Sequence, residues 1–248
     1  MSFHFSPNIV TDGLIVCYDP ANTRSFVSGS TSLYDLTTNK YDGLLVNGPV
    51  YSGVNYGTIS MDASDDEIDF PDIGNVTNGT VSIWFRNNLN VTSASTISTP
   101  FWFGSGTTAP SMRVVFGDIG GGPVFTELFT VYLPNFTGTT TIAGRWVASL
   151  LPISGSSIPS AWHNIVVARD SSGSRIYFDN TLLGAPNLGQ NINTITTTTI
   201  PFSVSGWNNN RIGYVGNGLV SHFTIYNRAL TTQEVNINYN ALKNRFGL

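Results

Sequence analysis

The residues with the clearest potential for chemistry lie between Asp62 and Asp72, in the stretch DASDDEIDFPD. Six of the chain's 15 acidic residues fall in these eleven positions, although charged residues make up only 10% of the chain. Carboxylates so close together could form a catalytic pair, or they could ligate a hard cation such as calcium. The third interpretation is a polar turn that leads into a β-strand. The choice among the three decides whether an enzyme is expected.

The elements that would position these residues are predicted to be β-strands. Short apolar segments separated by turn residues recur along the chain, most clearly at 14–18, 81–86, 112–116, 162–169, 175–178 and 219–226. Asp179 and Asn180 stand where a two-residue hairpin turn needs residues that tolerate positive φ. Segments 82–85 and 162–168 are apolar on both alternating faces, which is typical of strands buried on both sides. Regular strand spacing of this kind predicts an all-β sandwich or barrel.

One helix is predicted, over about residues 232–246. Thr231 and Glu234 have the spacing of a capping box, and Gly247 stands where a C-cap glycine belongs. Apolar residues follow at helical spacing on one face: Val235, Tyr239, Leu242 and Phe246. We expect this helix to cover a strand edge or one end of the β-structure.

The organisation of the chain favours one domain over residues 1–248. The segment from about 87 to 160 is rich in Gly, Thr, Ser and Pro, and it is predicted to be a variable, loop-rich insertion. Within it, GDIGGGP is expected to be a loop. Further along, TITTTTI from Thr194 is expected to be a strand because of its high β-propensity. No segment has the composition of an interdomain linker.

The composition argues against several classes of protein. Net charge is −4, and the 11 basic residues form no cluster, so nucleic-acid binding is not expected. No apolar run approaches the roughly 20 residues that span a bilayer, so no membrane association is expected. The N-terminus lacks a basic region followed by an apolar core, so no secretory signal is expected. Cys17, the single cysteine, lies in the apolar run LIVCYD and is predicted to be a buried thiol.

Five blocks of sequence carry a resemblance to a known family: DGLIVCYDP, LYDLTTNKYDGLLVNGPVY, GTISMDASDDEIDF, AWHNIVVARDSSGSRIYFDNTLLG and GNGLVSHFTIYNRALTTQEV. Together they resemble the concanavalin A-like lectin/glucanase sandwich in its laminin G-like form. The resemblance implies a two-layer antiparallel β-sandwich, the concanavalin A-like jelly roll, with a short C-terminal helix. The closing NALKNRFGL and the opening SPNIVTDGL are similar to single-domain versions in tailed-bacteriophage virion structural proteins.

The catalytic interpretation of the acidic stretch rests on a resemblance to enzymes of the same fold family. Glu67, Asp69 and Asp72 come close to the Glu-x-Asp-x-x-Glu strand of laminarinase-type glycoside hydrolases, in which two glutamates do the chemistry. Here the third acid is the shorter aspartate, and Pro71 removes a backbone donor within the strand. In the laminin G-like pattern Ile68 and Phe70 would face the core, which leaves Glu67 and Asp69 towards solvent. We therefore expect no catalytic residues and no enzymatic activity.

A cofactor is not expected either. The DASDD stretch offers several oxygen ligands for calcium, but it lacks the regular Asp-x-Asp-x-Asp-Gly spacing with a distal glutamate. Where many relatives have an acidic residue in G-x-I-D, this chain has Ser221 and His222. The three histidines show no metal-ligand spacing, and His163, beside Trp162, is expected to be structural. The favoured interpretation of the acidic stretch is therefore the turn.

A glycan-binding surface would need an exposed aromatic ring with planar polar groups beside it. The candidate residues are Trp207, Asn208, Asn209, Asn210 and Arg211, with Trp102 as a second aromatic plate. The alternative, which we favour for this segment, is that Trp207 is a core or interface residue and that the asparagines form a turn. Trp84 and Trp162 are expected in the core.

These observations leave function hypotheses in different classes. The first is a non-enzymatic bacteriophage virion structural protein, a head decoration or a tail- or fibre-associated protein. Its partners would be other capsid or tail proteins, and we expect a homo-oligomer located in the virion. The second hypothesis is a lectin module that recognises host surface polysaccharide. The third is a glycoside hydrolase, which would require the acidic stretch to form the floor of a groove.

Overall fold

The structure is a computed structural model that describes residues 8–62, 65–71, 73, 78–88, 91–92, 98–103, 112–116, 129–132, 145–147, 157–158, 160–170, 173–183, 211–212 and 217–248. Predicted features that fall in the gaps, including the GDIGGGP loop and the TITTTTI strand, lie outside these residues. Across the described ranges, no helix is long and apolar enough to cross a bilayer.

Strands dominate the described chain. The first nine are β1 (Leu14–Tyr18), β2 (Ser32–Leu33), β3 (Gly43–Val46), β4 (Val50–Ser52), β5 (Thr58–Asp62), β6 (Glu67–Asp69), β7 (Gly79–Asn87), β8 (Val91–Thr92) and β9 (Ser98–Phe103). The others are β10 (Met112–Phe116), β11 (Phe129–Tyr132), β12 (Arg145–Val147), β13 (Ser157–Ile158), β14 (Trp162–Asp170), β15 (Gly173–Phe178), β16 (Thr181–Leu182), β17 (Arg211–Ile212) and β18 (Asn217–Tyr226). The helix α1 spans Thr232–Leu242 and continues as a 3₁₀ turn, Lys243–Phe246. A second 3₁₀ turn, Val54–Tyr56, precedes β5.

The strands form two large antiparallel sheets. Sheet A has the order β16-β15-β14-β7-β18-β5-β4, and β1 also pairs with β18. Sheet B has the order β12-β11-β10-β9-β17-β6-β3-β2. Strands β8 and β13 form a separate pair. The predicted two-layer antiparallel sandwich is confirmed, and segment 87–160, predicted to be loop-rich, contributes β9 to β12 of sheet B.

The main core lies between the two sheets. Sheet A contributes alternating residues of its central strands, such as Ile83, Ile165 and Phe223, all at most 1% exposed. Ile68 of sheet B packs into the same cluster, together with the partly buried Leu45. Because side chains alternate between the two faces of a strand, the remaining residues of β7 and β14 point away from this core.

The other face of sheet A is covered by the C-terminal helix. Trp84 and Trp162 are 1% and 5% exposed, and they form a cluster with Phe246 on the face opposite the main core. The Trp84 and Phe246 rings stack with centroids 4.4 Å apart. This packing explains why the central strands are apolar on both faces. It also corrects the expected position of the helix, which lies on the sheet's face because the two tryptophans offer a large apolar surface there.

The ends of the helix form as the sequence predicts. Thr231 Oγ1 accepts a hydrogen bond from the Glu234 amide at 3.2 Å, and the Glu234 carboxylate accepts one from the Thr231 amide at 2.9 Å. Arg228 forms a bidentate ion pair with the same carboxylate, which lowers the pKa of Glu234 to about 2. At the other end Gly247 has a φ of 78°, the left-handed C-cap conformation.

The hairpin turn in the meander β14-β15-β16 is also confirmed. Asp179 and Asn180 have φ values of 46° and 65°. Two consecutive positive φ values are typical of the type I′ turn, whose twist matches that of the flanking strands. This turn connects β15 to β16, which is the strand at one edge of sheet A.

Candidate functional site

The acidic stretch forms the corner at which the chain passes from one sheet to the other. Strand β5, which belongs to sheet A, ends at Asp62, and β6 of sheet B begins at Glu67. The Asp66 carboxylate accepts a hydrogen bond from the Asp62 amide at 2.9 Å, and Asn47 Nδ2 donates to the Asp65 carbonyl oxygen at 2.9 Å. These bonds hold the connection between β5 and β6 in place at Asp65 and Asp66.

The same corner gathers carboxylates. Asp62, Asp65 and Asp66 each offer an oxygen within 4.8 Å of the others'. Burial raises the pKa of Asp66, which is 4% exposed. Calcium takes about six to eight oxygen ligands, however, and the Asp66 carboxylate is already engaged with a backbone amide. The bond from the Asp62 amide gives Asp66 a structural role in the connection between the two sheets.

The position of Glu67 differs from the prediction. Ile68 and Phe70 face the main core as expected. Glu67 was expected to face solvent but is only 5% exposed, and Asp69 is half-buried. The reason is that Glu67 pairs with Val46 at the first position of β6, directly after the buried Asp66. Asp72, the third acid of the hydrolase-like pattern, lies outside the described residues. A carboxylate as buried as Glu67 is poorly placed to reach a polysaccharide.

The strand register of sheet B places several residues suited to ligand binding in one row. Leu44 pairs with Asp69, Asp69 with Arg211, Arg211 with Trp102, and Trp102 with Arg113; the row continues through Tyr132 to Arg145. Residues directly opposite each other on neighbouring strands share one face of a sheet. We call the positions Asp69, Arg211, Trp102, Arg113, Tyr132 and Arg145 the outer row.

The outer row lies on the face of sheet B that points away from the core. The adjacent row begins with Leu45 and Ile68, which pack into the main core, and it continues through Ile212, Phe101, Val114 and Val131. Because a shift of one residue along a strand changes the face, the outer row occupies the opposite face. Leu44, at the end of that row, is 50% exposed.

Two residues of the predicted glycan-binding surface fall in the outer row. Trp102 and Arg211, about 110 positions apart in the sequence, occupy directly opposed register positions. Residues 207–210, the remainder of the candidate set, lie outside the described residues. Sequence reasoning did not single out the other positions of the row, Arg113, Tyr132 and Arg145. Each lies in a short strand segment, MRVVF, FTVY or RWV, but the strand pairing that aligns them is not visible in the sequence.

A cysteine and a histidine meet inside sheet A. Cys17 Sγ lies 3.8 Å from His222 Nε2, and both residues are 5% exposed. Burial raises the pKa of Cys17 to about 12 and lowers the pKa of His222 to about 4. A nucleophilic cysteine requires the thiolate, which this environment disfavours. The predicted buried thiol is therefore confirmed, and the pair is a neutral part of the interior.

His163 has a structural setting, in line with the prediction. Its Nδ1 lies 2.8 Å from Asp179 Oδ2 in the hairpin turn, and its ring packs 4.8 Å from the Phe178 ring. The other oxygen of Asp179 accepts a hydrogen bond from the Asn164 amide at 2.7 Å. These contacts tie the turn to strand β14, which is the position that a structural histidine would occupy.

Comparisons with known proteins agree with this architecture. A family model described as the concanavalin A-like lectin/glucanases superfamily matches residues 62–236. No curated protein matches the sequence. The structure is similar to the binding domain of botulinum neurotoxin DC in complex with SialylT, with a TM-score of 0.66 and 13% identity over 93% of this chain. The chain spans about half of that protein, 52% of its length.

Two further solved structures illustrate the range of similar proteins. Trypanosoma rangeli sialidase in complex with sialic acid matches with a TM-score of 0.58 and 11% identity, over 96% of this chain and 34% of the sialidase. Domain 4 of AbnA, a GH43 extracellular arabinanase from Geobacillus stearothermophilus, in complex with arabinotriose, matches with a TM-score of 0.56 and 13% identity. That match covers 92% of this chain and 98% of the arabinanase domain. At these identities the similarity establishes the fold.

Proposed function

The chain belongs to the concanavalin A-like lectin/glucanases superfamily, and we propose that it acts there as a non-enzymatic carbohydrate-binding module. The observation that carries this proposal is the outer row, in which Trp102 is flanked on neighbouring strands by Arg211 and Arg113. An aromatic ring can stack on the apolar face of a sugar, and guanidinium donors beside it can reach the sugar's oxygens.

The rigid sheet supports this role. Binding residues are held most reproducibly on regular secondary structure, and the outer row crosses β6, β17, β9, β10, β11 and β12 of one sheet. The similar proteins are consistent with it, since one arabinanase domain of nearly the same extent is in complex with arabinotriose. The burial of Glu67 supports the non-enzymatic part of the proposal.

A glycan array followed by calorimetric titration tests the proposal. We expect Trp102→Ala to weaken binding of a retained glycan by roughly tenfold or more, the size of a lost aromatic contact. Tyr56→Ala is the matched control, because Tyr56 is 79% exposed but lies in the turn before β5 of sheet A, away from the outer row. Trp207→Ala tests the additional residue predicted from the sequence. Equal affinity in wild type and Trp102→Ala would contradict the proposal.

We also propose a setting for the module: a virion structural protein of a bacteriophage, as a head decoration or a tail- or fibre-associated component. The support is the resemblance of the closing block, IYNRAL to NALKNRFGL. In the fold this block ends β18 and forms the helix on sheet A.

The virion proposal has its own test. Density-gradient-purified particles from a lysate that encodes this chain should contain it at a fixed copy number, measured by quantitative mass spectrometry. A chain that stays in the soluble fraction and leaves the particles at trace level would contradict the virion setting while leaving carbohydrate binding intact. Light scattering of the purified chain tests the expected homo-oligomer.

A further inference from the structure

The outer row concentrates positive charge in a chain that is acidic overall. Net charge is −4 with 11 basic residues, yet the row brings together Arg211, Arg113 and Arg145 against one acid, Asp69. The three arginines come from separate strands, β17, β10 and β12. Their alignment is a property of the strand register, since they are far apart in the sequence.

Arginines and aromatic residues alternate along the row. The order is Arg211, Trp102, Arg113, Tyr132, Arg145. Neighbouring strands lie about 4.8 Å apart, so the row from Arg211 to Arg145 covers four spacings, or about 19 Å. The two arginines beside Trp102 are thus about 10 Å apart, one on each side of the aromatic position. An extended ligand lying across the strands would meet cationic and aromatic positions in turn.

We propose that the ligand of this surface is an acidic saccharide that carries carboxylate groups. This inference rests on the proposed carbohydrate-binding function and specifies its ligand class. The planar guanidinium matches a carboxylate with two parallel hydrogen bonds, which a neutral hydroxyl cannot accept in the same way. The aromatic positions provide stacking surfaces for the sugar rings between the charged groups. A neutral glycan would use the stacking positions and gain little from three cations.

A structural role for the row is the competing explanation. Cation–π contacts between cross-strand neighbours could stabilise the sheet without any ligand. The two explanations differ in what they predict for the same substitution. A structural role lowers the unfolding midpoint of an arginine variant, whereas a ligand-binding role lowers its affinity for acidic saccharides.

The experiment compares ligands that differ only in charge. Titration calorimetry at low ionic strength measures binding of tetragalacturonate and its methyl ester, and of sialyllactose and its methyl ester. We expect an acidic member to bind at least tenfold more tightly than its neutral partner, with the preference reduced by added salt. Arg113→Gln and Arg211→Gln should each weaken acidic binding by roughly ten- to hundredfold, as expected for a lost charged hydrogen bond. Arg24→Gln, on an exposed loop residue, should leave it unchanged.

Each outcome has a distinct meaning. Equal binding of the acidic and neutral members, with loss on Trp102→Ala, overturns the acidic preference and leaves the carbohydrate-binding function standing. If Arg24→Gln also loses binding of the acidic saccharides, the binding is general charge attraction, and the assignment of the outer row as the site is overturned. Arginine variants with lowered thermal midpoints and unchanged affinity show the structural role. No binding of any of the four compounds by folded wild-type protein overturns this inference, while the glycan array separately decides the proposed function.

Discussion

Arg245 and Asn55, which are 190 positions apart in the sequence, form two reciprocal hydrogen bonds. Arg245 Nε donates to the Asn55 carbonyl oxygen at 2.9 Å, and Asn55 Nδ2 donates to the Arg245 carbonyl oxygen at 2.7 Å. The guanidinium also pairs with Asp19 at 2.7 Å and donates to the Gly57 carbonyl oxygen at 2.8 Å. Trp162 Nε1 donates to Asn55 Oδ1 at 2.8 Å. These bonds fasten the 3₁₀ turn after α1 to the turn before β5.

Removal of this guanidinium should strongly destabilise the fold. Arg245→Met removes one donor from the Asp19 carboxylate and from two carbonyl oxygens, in a site where the arginine side chain is 12% exposed. We expect a loss of about 3–5 kcal/mol in the free energy of unfolding, measured by urea denaturation. Lys243→Met, in the same 3₁₀ turn, is the control and should cost under about 1 kcal/mol. Equal losses in the two variants would contradict the assigned role.

Gly57 should be sensitive to a single added methyl group. Its φ is 148°, and a Cβ would lie 2.6 Å from the Pro20 carbonyl oxygen and 2.7 Å from the Ala21 Cα. Gly57→Ala should therefore lower the free energy of unfolding by about 1–3 kcal/mol, the cost of a strained backbone conformation. Gly53→Ala is the matched control, because its φ is −72° and no atom lies within 4 Å of the added group. Denaturation midpoints of the two variants should differ accordingly, and coinciding midpoints would refute the packing argument.

His222 should make the fold less stable in acid. Burial lowers its pKa to about 4 in the folded chain, while the unfolded chain has a pKa of about 6.5, so the unfolded state binds the proton more readily. The stabilising contribution is therefore complete above pH 6.5 and is lost as the pH falls from 6.5 towards 4. Over this pH range the free energy of unfolding falls by up to about 3 kcal/mol because of His222. Asp19 and Arg245 are the charged groups that act on the histidine.

His222→Gln isolates this effect, because the variant retains every other titrating group. Urea denaturation between pH 7 and pH 4 should show a steeper loss of stability in wild type than in the variant. Parallel pH profiles would show that His222 does not contribute to acid unfolding.

Cys17 should be inert to thiol reagents in the folded protein. Its side chain is buried and its pKa is raised to about 12, so both access and the reactive thiolate are suppressed at pH 8. Ellman's reagent should label no cysteine in native buffer and one per chain in urea. The control is Ser28→Cys in a Cys17→Ser background, which places the thiol on an exposed loop and should react within seconds. Rapid labelling of native wild type would show that the site is open.

Glycoside hydrolysis is expected to be absent. Glu67, the acid at the start of the hydrolase-like pattern, is 5% exposed, and a retaining mechanism needs two accessible carboxyl groups about 5–5.5 Å apart. Wild type should release no reducing sugar from mixed-linkage β-glucan, with a laminarinase-type enzyme as the positive control. Hydrolysis by wild type that Glu67→Gln abolishes, while Asp62→Asn preserves it, would reverse this conclusion.

The sequence alone determined the features that depend on neighbouring residues. The Thr231–Glu234 capping box, the Asp179-Asn180 turn and the alternation in β7 and β14 follow from local geometry, so they can be read from short segments. Burial of Cys17 was visible in the same way, because it lies in an apolar strand. The acidic stretch joins β5 to β6, where the sequence predicted a turn that leads into a strand. Glu67 was misplaced, since its burial depends on the pairing of β6 with β3.

Only the tertiary structure decided which residues that are distant in the sequence lie next to each other. The helix covers a face of sheet A because Trp84 and Trp162, on paired strands, together offer the surface that Phe246 needs. Arg245 contacts Asn55 because the 3₁₀ turn after α1 packs against the turn before β5. Antiparallel pairing of strands that are distant in the sequence brings Cys17 beside His222 and places Trp102 opposite Arg211. Strand register fixes such contacts, and it is set by the burial of the opposite face of each strand and not by the residues that are brought together. For that reason one candidate aromatic residue could be named in advance, while the row of arginines around it could not.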